Sequence, residues 1–211
     1  MQMMWAMMAP GEPLAYWVSA SVMWAVMMVA MMIPAAAPML SVYRQIYRGP
    51  RAEIAALMFA CGYLASWTLF SLAAAGLQWL LHSRGVLHGH LLETGAEITA
   101  WLLIATGTYQ LTPFKEACLA RCRSPIGYFM GHWREGPAGG WWLGWRHGLF
   151  CIGCCWMLML LMFAGGAMSV LTMAMLCAFI IAERVLPAGP WSARLPGVLL
   201  IAWGGWMLWE M

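Results

Sequence analysis

The sequence predicts an all-α, polytopic membrane bundle, and three observations carry that prediction. Of 211 residues, 64% are hydrophobic and 9% charged, with a mean hydropathy of +0.74; soluble domains carry about 25% charged residues. Apolar runs near the length of a bilayer-crossing helix, about 20 residues, recur six times between breakers. Lysine and arginine fall almost entirely into alternate loops. This composition excludes a disordered tail, a coiled coil and a nucleic-acid binder resting on a basic face. The expected surroundings are the lipid bilayer, with no nucleic acid.

The segment before Leu14 is rich in Met but lacks the basic region and small-residue cleavage site of a signal peptide, so it is expected to stay in the mature chain. The first span covers residues 14–33 and is expected to close at Pro34 and Pro38, which cannot donate a helical N–H. The second covers 54–81, long enough to tilt. The third, 91–111, stops at Pro113, and an amphipathic segment, 114–124, follows on the membrane surface. Spans four and five, 148–165 and 169–186, form a hairpin around Gly165 and Gly166. The last covers 195–209. The whole chain, 1–211, reads as a single transmembrane domain.

Loop charges orient these six spans. With the N-terminus outside, Arg44, Arg48, Arg51, Lys115, Arg121, Arg123, Arg134, Arg146, Arg184 and Arg194 all face the cytoplasm, and only Arg84 lies outside. The positive-inside rule therefore places both termini on the outer, periplasmic side of a bacterial inner membrane.

The most unusual stretch is His147-Gly148-Leu149-Phe150-Cys151-Ile152-Gly153-Cys154-Cys155-Trp156. On a helix, Cys151, Cys154 and Cys155 stand at i, i+3 and i+4 and share a face, with His147 one turn before them. Met159 and Met162 extend the stripe to about 22 Å at 1.5 Å per residue. Thiolate, thioether and imidazole are soft ligands suited to Cu(I), with Zn second. The start of span four is expected to lend its dipole to Cys151. A plainer reading makes these cysteines small packing residues.

Cys118 and Cys122, at i and i+4, share a face of the amphipathic segment. In a reducing compartment they are expected as free thiols or ligands. Met27 and Met31 lie one turn apart in the cytoplasmic half of span one, at the depth of the Cys triplet. Glu183 sits near the same end of span five, where an ion pair with Arg184 or a loop arginine is its ordinary explanation. An outer cluster, His82, His88, His90, Glu93 and Glu97, offers a harder second site or a solvated loop. The chain has no phosphate-cradling glycine loop, zincin motif, nucleophile elbow or haem-attachment motif. Cys151 and Cys154 do share the spacing of redox dithiols, without the usual βαβ context.

Four stretches occur in one order: Ala30-Met31-Met32-Ile33-Pro34, Gly107-Thr108-Tyr109-Gln110-Leu111-Thr112-Pro113-Phe114-Lys115, Cys118-Leu119-Ala120-Arg121-Cys122-Arg123-Ser124-Pro125, and the His147–Trp156 motif. In these the chain resembles the bacterial family called domain of unknown function 2182, described as predicted metal-binding integral membrane proteins. The resemblance runs from span one to about Pro187. Phe150 stands where the family usually has Tyr, and the outer His cluster lies outside the family pattern. The resemblance implies metal binding.

The expectation is thus a soft-metal site near the cytoplasmic side, built from Cys151, Cys154, Cys155, Cys118, Cys122 and His147, with Met27 and Met31 further out. Copper is the first metal and zinc the second. The expected role is metal handling or insertion rather than turnover, with other membrane or metal-handling proteins, or further copies of the chain, as partners. The alternatives are a membrane thiol/quinone oxidoreductase using the CxxCC cysteines, and a transporter or accessory subunit.

Overall fold

A computed structural model describes residues 13–47, 51–89, 92–185 and 191–211. Its helices are α1 (Pro13–Ile46), α2 (Ala52–Ser83), α3 (Ala96–Gln110), α4 (Pro113–Arg123), α5 (Pro125–His132), α6 (Gly136–Leu160), α7 (Val170–Val185) and α8 (Trp191–Glu210). Between α2 and α3, β1 (Leu87–His88) pairs antiparallel with β2 (Glu93–Thr94). The expected helical class holds. Among the described residues, three helices, α1, α2 and α6, are long and apolar enough to cross a membrane. Helices α3 and α7 have 15 and 16 residues, or about 22–24 Å.

Two helices run past their expected ends. Helix α1 continues through Pro34 and Pro38 to Ile46. Each proline removes the N–H that would meet the carbonyl four residues earlier. Side chains from other helices brace the backbone around them: Tyr63 Oη donates to Met32 O at 3.2 Å, Cys177 Sγ to Met31 O at 3.7 Å, and Arg184 Nη1 to Ala35 O at 3.2 Å. Tertiary partners thus hold a segment that local sequence marks as a stop. Helix α6 starts at Gly136, a full three turns before Gly148.

Glycine sets a close helix pair. Gly140, Gly144 and Gly148 are spaced by four and form a groove on α6 into which the α2 backbone fits. A Cβ at Gly140 would strike Ala55 O, one at Gly144 Phe59 O, and one at Gly148 Ser66 Oγ. From the other side, Gly62 admits the Trp141 carbonyl. Such small-residue stripes let membrane helices approach closely where the hydrophobic effect gives no preference for a neighbour over lipid. Helices α3 and α8 meet in the same way, with Gly107 against Gly197 and Gly204 against Ala100, where a Cβ would lie 2.7 Å from the Ala100 carbonyl.

Helix α4 opens on a cap. The Thr112 side chain accepts from Lys115 N at 3.3 Å and Pro113 takes the first helical position, both standard helix-start chemistry. Its buried face carries Lys115, Cys118 and Leu119. One apolar core joins α1, α2, α4, α6 and α7, running from Tyr16, Trp24 and Trp67 to the cysteines of α6 and the methionines of α1.

Candidate metal centre

Because α6 is continuous from Gly136, Cys151, Cys154 and Cys155 fall on one face of its C-terminal half, and all three are buried. Their sulfurs are not left idle. Cys154 Sγ and Cys155 Sγ donate to Cys151 O at 3.1 and 2.9 Å. Cys151 Sγ lies 3.1 Å from Tyr63 Oη and 2.8 Å from Arg184 Nη2, which also reaches Cys154 Sγ at 3.6 Å. A guanidinium from α7 thus sits among the thiols of α6.

The early start of α6 overturns one expectation. Cys151 stands some four turns from the helix N-terminus, whereas dipole effects fade within the first turn. The positive charge beside Cys151 comes from Arg184 instead, across a tertiary contact.

Helix α4 supplies two further thiols. Cys118 is buried and presses against Gly153: a Cβ there would lie 3.0 Å from its sulfur. The Tyr109 hydroxyl donates to the Gly153 carbonyl, fixing the same turn from α3. The half-buried Cys122 thiol hydrogen-bonds Cys154, and that bond together with burial raises its pKa above the ordinary thiol value. Burial also pushes the Cys118 thiol up.

Helix α4 is bolted to α7 by charge. Lys115 Nζ reaches both carboxylate oxygens of Glu183 at 2.8 Å, with the two side chains 0% and 4% exposed. Arg123 Nε donates to the Glu183 carbonyl at 2.8 Å. The ion pair expected for Glu183 therefore forms with Lys115, while its neighbour Arg184 turns to the sulfurs.

His147 lies one turn before Cys151 and is buried in aromatic rings. It stacks on Tyr63 and Phe59 at centroid distances of 5.6 and 6.0 Å, and Tyr128 meets it edge-on. Its Nδ1 is buried without a hydrogen-bond partner. Met27 and Met31 are buried in the same core as the thiols, with Met28, Met32, Met159 and Met162.

Among the described residues, the outer side chains show no shared contact. His82 Nδ1 lies 3.1 Å from Tyr16 Oη, which also accepts from Gln78 Nε2 at 3.2 Å, while Trp24 Nε1 donates to Gln78 Oε1 at 2.7 Å. Glu93 and Glu97 are exposed. His90 lies outside the described residues, as does the side chain of His88.

Among the described residues, no three His, Cys, Asp or Glu side chains stand arranged as a metal-holding group. The donor set nonetheless fits a soft metal. It offers buried sulfurs from two helices, an orphan imidazole nitrogen and a cation at the cluster. Two thiolates around one Cu(I) carry a single negative charge, and a buried charge needs a partner. Arg184 supplies it. Sequence spacing found the sulfurs. It missed Tyr63 and Arg184; the only signal for Arg184 was a Glu-Arg pair ending an apolar helix.

Fold and site together define a helical protein, with helices suited to a membrane, that gathers buried thiols and an arginine in its core. A family model described as "PpoB2: Copper chaperone" matches residues 21–207, most of the chain. The protein belongs to the PpoB2 copper chaperone family, which makes copper the metal to consider and copper handling the setting of the site. No curated protein and no solved structure matches it. The resemblance drawn from the sequence is supported at this coarser level, as a copper-related family.

Proposed function

We propose that this chain is an inner-membrane Cu(I)-binding protein that takes up copper on a thiol cluster and passes it on. The ligands are Cys151, Cys154 and Cys155, joined by Cys122 and Cys118, with His147 and the thioethers of Met27 and Met31 as outer donors. Six spans place both termini outside and the thiol cluster toward the cytoplasm. Helices α1, α2 and α6 supply three of the spans, and α3, α7 and α8 the rest. The loop charges support this orientation.

The observation that carries the reading is Arg184 Nη2 at 2.8 Å from Cys151 Sγ within a cluster of buried sulfurs. Cysteines that only pack require no counter-cation. An arginine held against sulfur by a second bond to Ala35 O is what an anionic Cu(I)–thiolate centre requires in a low-dielectric interior. Copper is cargo here, not a resident cofactor, and every described cysteine is a free thiol.

Elemental analysis of the detergent-purified protein, beside a Cys151→Ser, Cys154→Ser, Cys155→Ser variant, tests the reading. Near-stoichiometric copper, lost in the variant, is the expected result. Protein that stays metal-free after anaerobic incubation with Cu(I) would overturn it and return the cysteines to redox chemistry or packing.

A further inference from the structure

A cavity of about 230 Å³ opens beside the thiol cluster, lined by Pro34, Ala35, Pro38 and Met39 of α1, by Cys122 and Arg123 of α4, and by Ile181 and Arg184 of α7, among others. We propose that copper reaches the protein through this cavity as the anionic complex of a low-molecular-weight thiol, of which glutathione is the type. Cys122 is the first protein sulfur to take it. The inference rests on the copper-site reading above and adds the form in which copper arrives.

Three features converge on this cavity. First, one sulfur-bearing residue, Cys122, lines it directly. Cys122 is half-buried in its wall and hydrogen-bonds Cys154, while Arg184 spans from the wall to Cys151. Cys118, Cys151, Cys154 and Cys155 are all buried, so Cys122 is the step between the opening and the cluster.

Second, its charge selects an anion. Arg123 and Arg184 both line it, and none of the described lining residues is acidic. Glu183, the acid nearest in sequence, is taken up by Lys115. A bare Cu(I) cation is repelled by such a wall, whereas a bis-thiolate complex with one negative charge is drawn in. Arg184 keeps its buried Nε without a hydrogen-bond partner.

Third, its size and lining suit a small carrier. The space admits the thiol end of a peptide-like molecule and excludes a folded protein. Pro34 and Pro38 both line it; Pro38 carries no N–H, so the Pro34 carbonyl lacks its helical donor and is an acceptor for a carrier amide.

The transfer is two successive sulfur exchanges. A bond forms between Cys122 Sγ and copper as one carrier sulfur–copper bond breaks, and the Cys122 proton leaves on the departing thiolate as free thiol. Cys154 then replaces the second carrier sulfur in the same way. Copper remains Cu(I) throughout, and two carrier thiols are released for two protein thiols consumed.

The experiment follows anaerobic copper uptake by the full-length protein in detergent from two donors: Cu(I)–glutathione, an anion, and Cu(I)–acetonitrile, a cation. Val185→Trp and Ile181→Trp each fill the cavity without removing a sulfur. Both are expected to slow uptake from Cu(I)–glutathione at least tenfold, while the final copper content and the rate from Cu(I)–acetonitrile change less than twofold. In the wild type, raising salt slows uptake from the anionic donor and not from the cationic one. Unchanged rates from Cu(I)–glutathione in both variants, or uptake that salt leaves untouched, would overturn the inference and leave the copper site standing. So would loading that needs a protein thiol donor. Failure of the wild type to load from either donor sinks the copper-site reading itself.

Discussion

Arg184 Nη2 stands 2.8 Å from Cys151 Sγ while Nη1 of the same guanidinium holds the Ala35 carbonyl at 3.2 Å. One side chain on α7 therefore ties the thiol face of α6 to the proline-interrupted segment of α1. Its planar fork makes both contacts at once, which a lysine cannot reproduce.

Replacing Arg184 with Met is expected to weaken Cu(I) binding by more than tenfold, because it leaves an anionic centre without its buried partner, a loss of about 3–5 kcal/mol in comparable pairs. Arg184→Lys keeps the charge and loses the fork, and falls between. Competition against a Cu(I) chelator of known affinity measures both. Equal affinities across the three proteins would remove Arg184 from the site.

The Lys115–Glu183 pair is buried on both sides, so removing one partner strands the other. Lys115→Met is expected to destabilise the protein by about 3–5 kcal/mol. The double change Lys115→Met, Glu183→Leu recovers most of the loss, since a hydrophobic pair of similar volume often replaces a buried ion pair at little cost. Thermal unfolding in detergent compares the three proteins. A double variant no better than the single one would show that the two charges act separately.

Gly144 faces the Phe59 carbonyl and has no room for a side chain. Gly144→Leu is expected to push α2 from α6 and cost at least the ~1–3 kcal/mol of ordinary overpacking, moving Tyr63 away from Cys151. Gly205, whose Cβ would meet nothing, tolerates Ala with less than about 1 kcal/mol of change. Unfolding midpoints of the two variants should differ accordingly.

The Cys122 thiol has its pKa raised, first by the bond to Cys154 and then by burial. The sign follows directly. At neutral pH it holds its proton more firmly than a free thiol, so alkylation is slow, and the rate keeps climbing with pH past about 8.5, where an ordinary thiol levels off. Mass spectrometry of the alkylated peptide at a series of pH values gives the profile. A plateau at the ordinary value would contradict the placement of Cys122 against Cys154.

What the sequence revealed and what it hid divide along contact order. The shared face of Cys151, Cys154 and Cys155 follows from spacing within one helix, and so does that of Cys118 and Cys122; the structure keeps both. The stop at Pro34 failed because the braces that carry α1 onward, Tyr63, Cys177 and Arg184, lie from 31 to 149 residues away in the chain. Helix α6 begins at Gly136 rather than at the expected 148, because its glycines form the groove that α2 fills, a contact between elements far apart in the chain. Arg184 looked like the natural partner of its neighbour Glu183. On a helix adjacent residues diverge by about 100°, so each found a different element.

The brevity of α7 has a consequence for the surrounding lipid. In the proposed six-span arrangement, the described helix of 16 residues reaches only about 24 Å, while the hydrocarbon layer is about 30 Å deep. The bilayer must thin on that side or the helix must sink, and Glu183 and Arg184 at its end fix which, because both are tethered to the bundle. Acyl-chain length therefore becomes a handle on the proposed copper centre. Thick membranes pull on the tether that holds Arg184 to sulfur, and thin ones relax it.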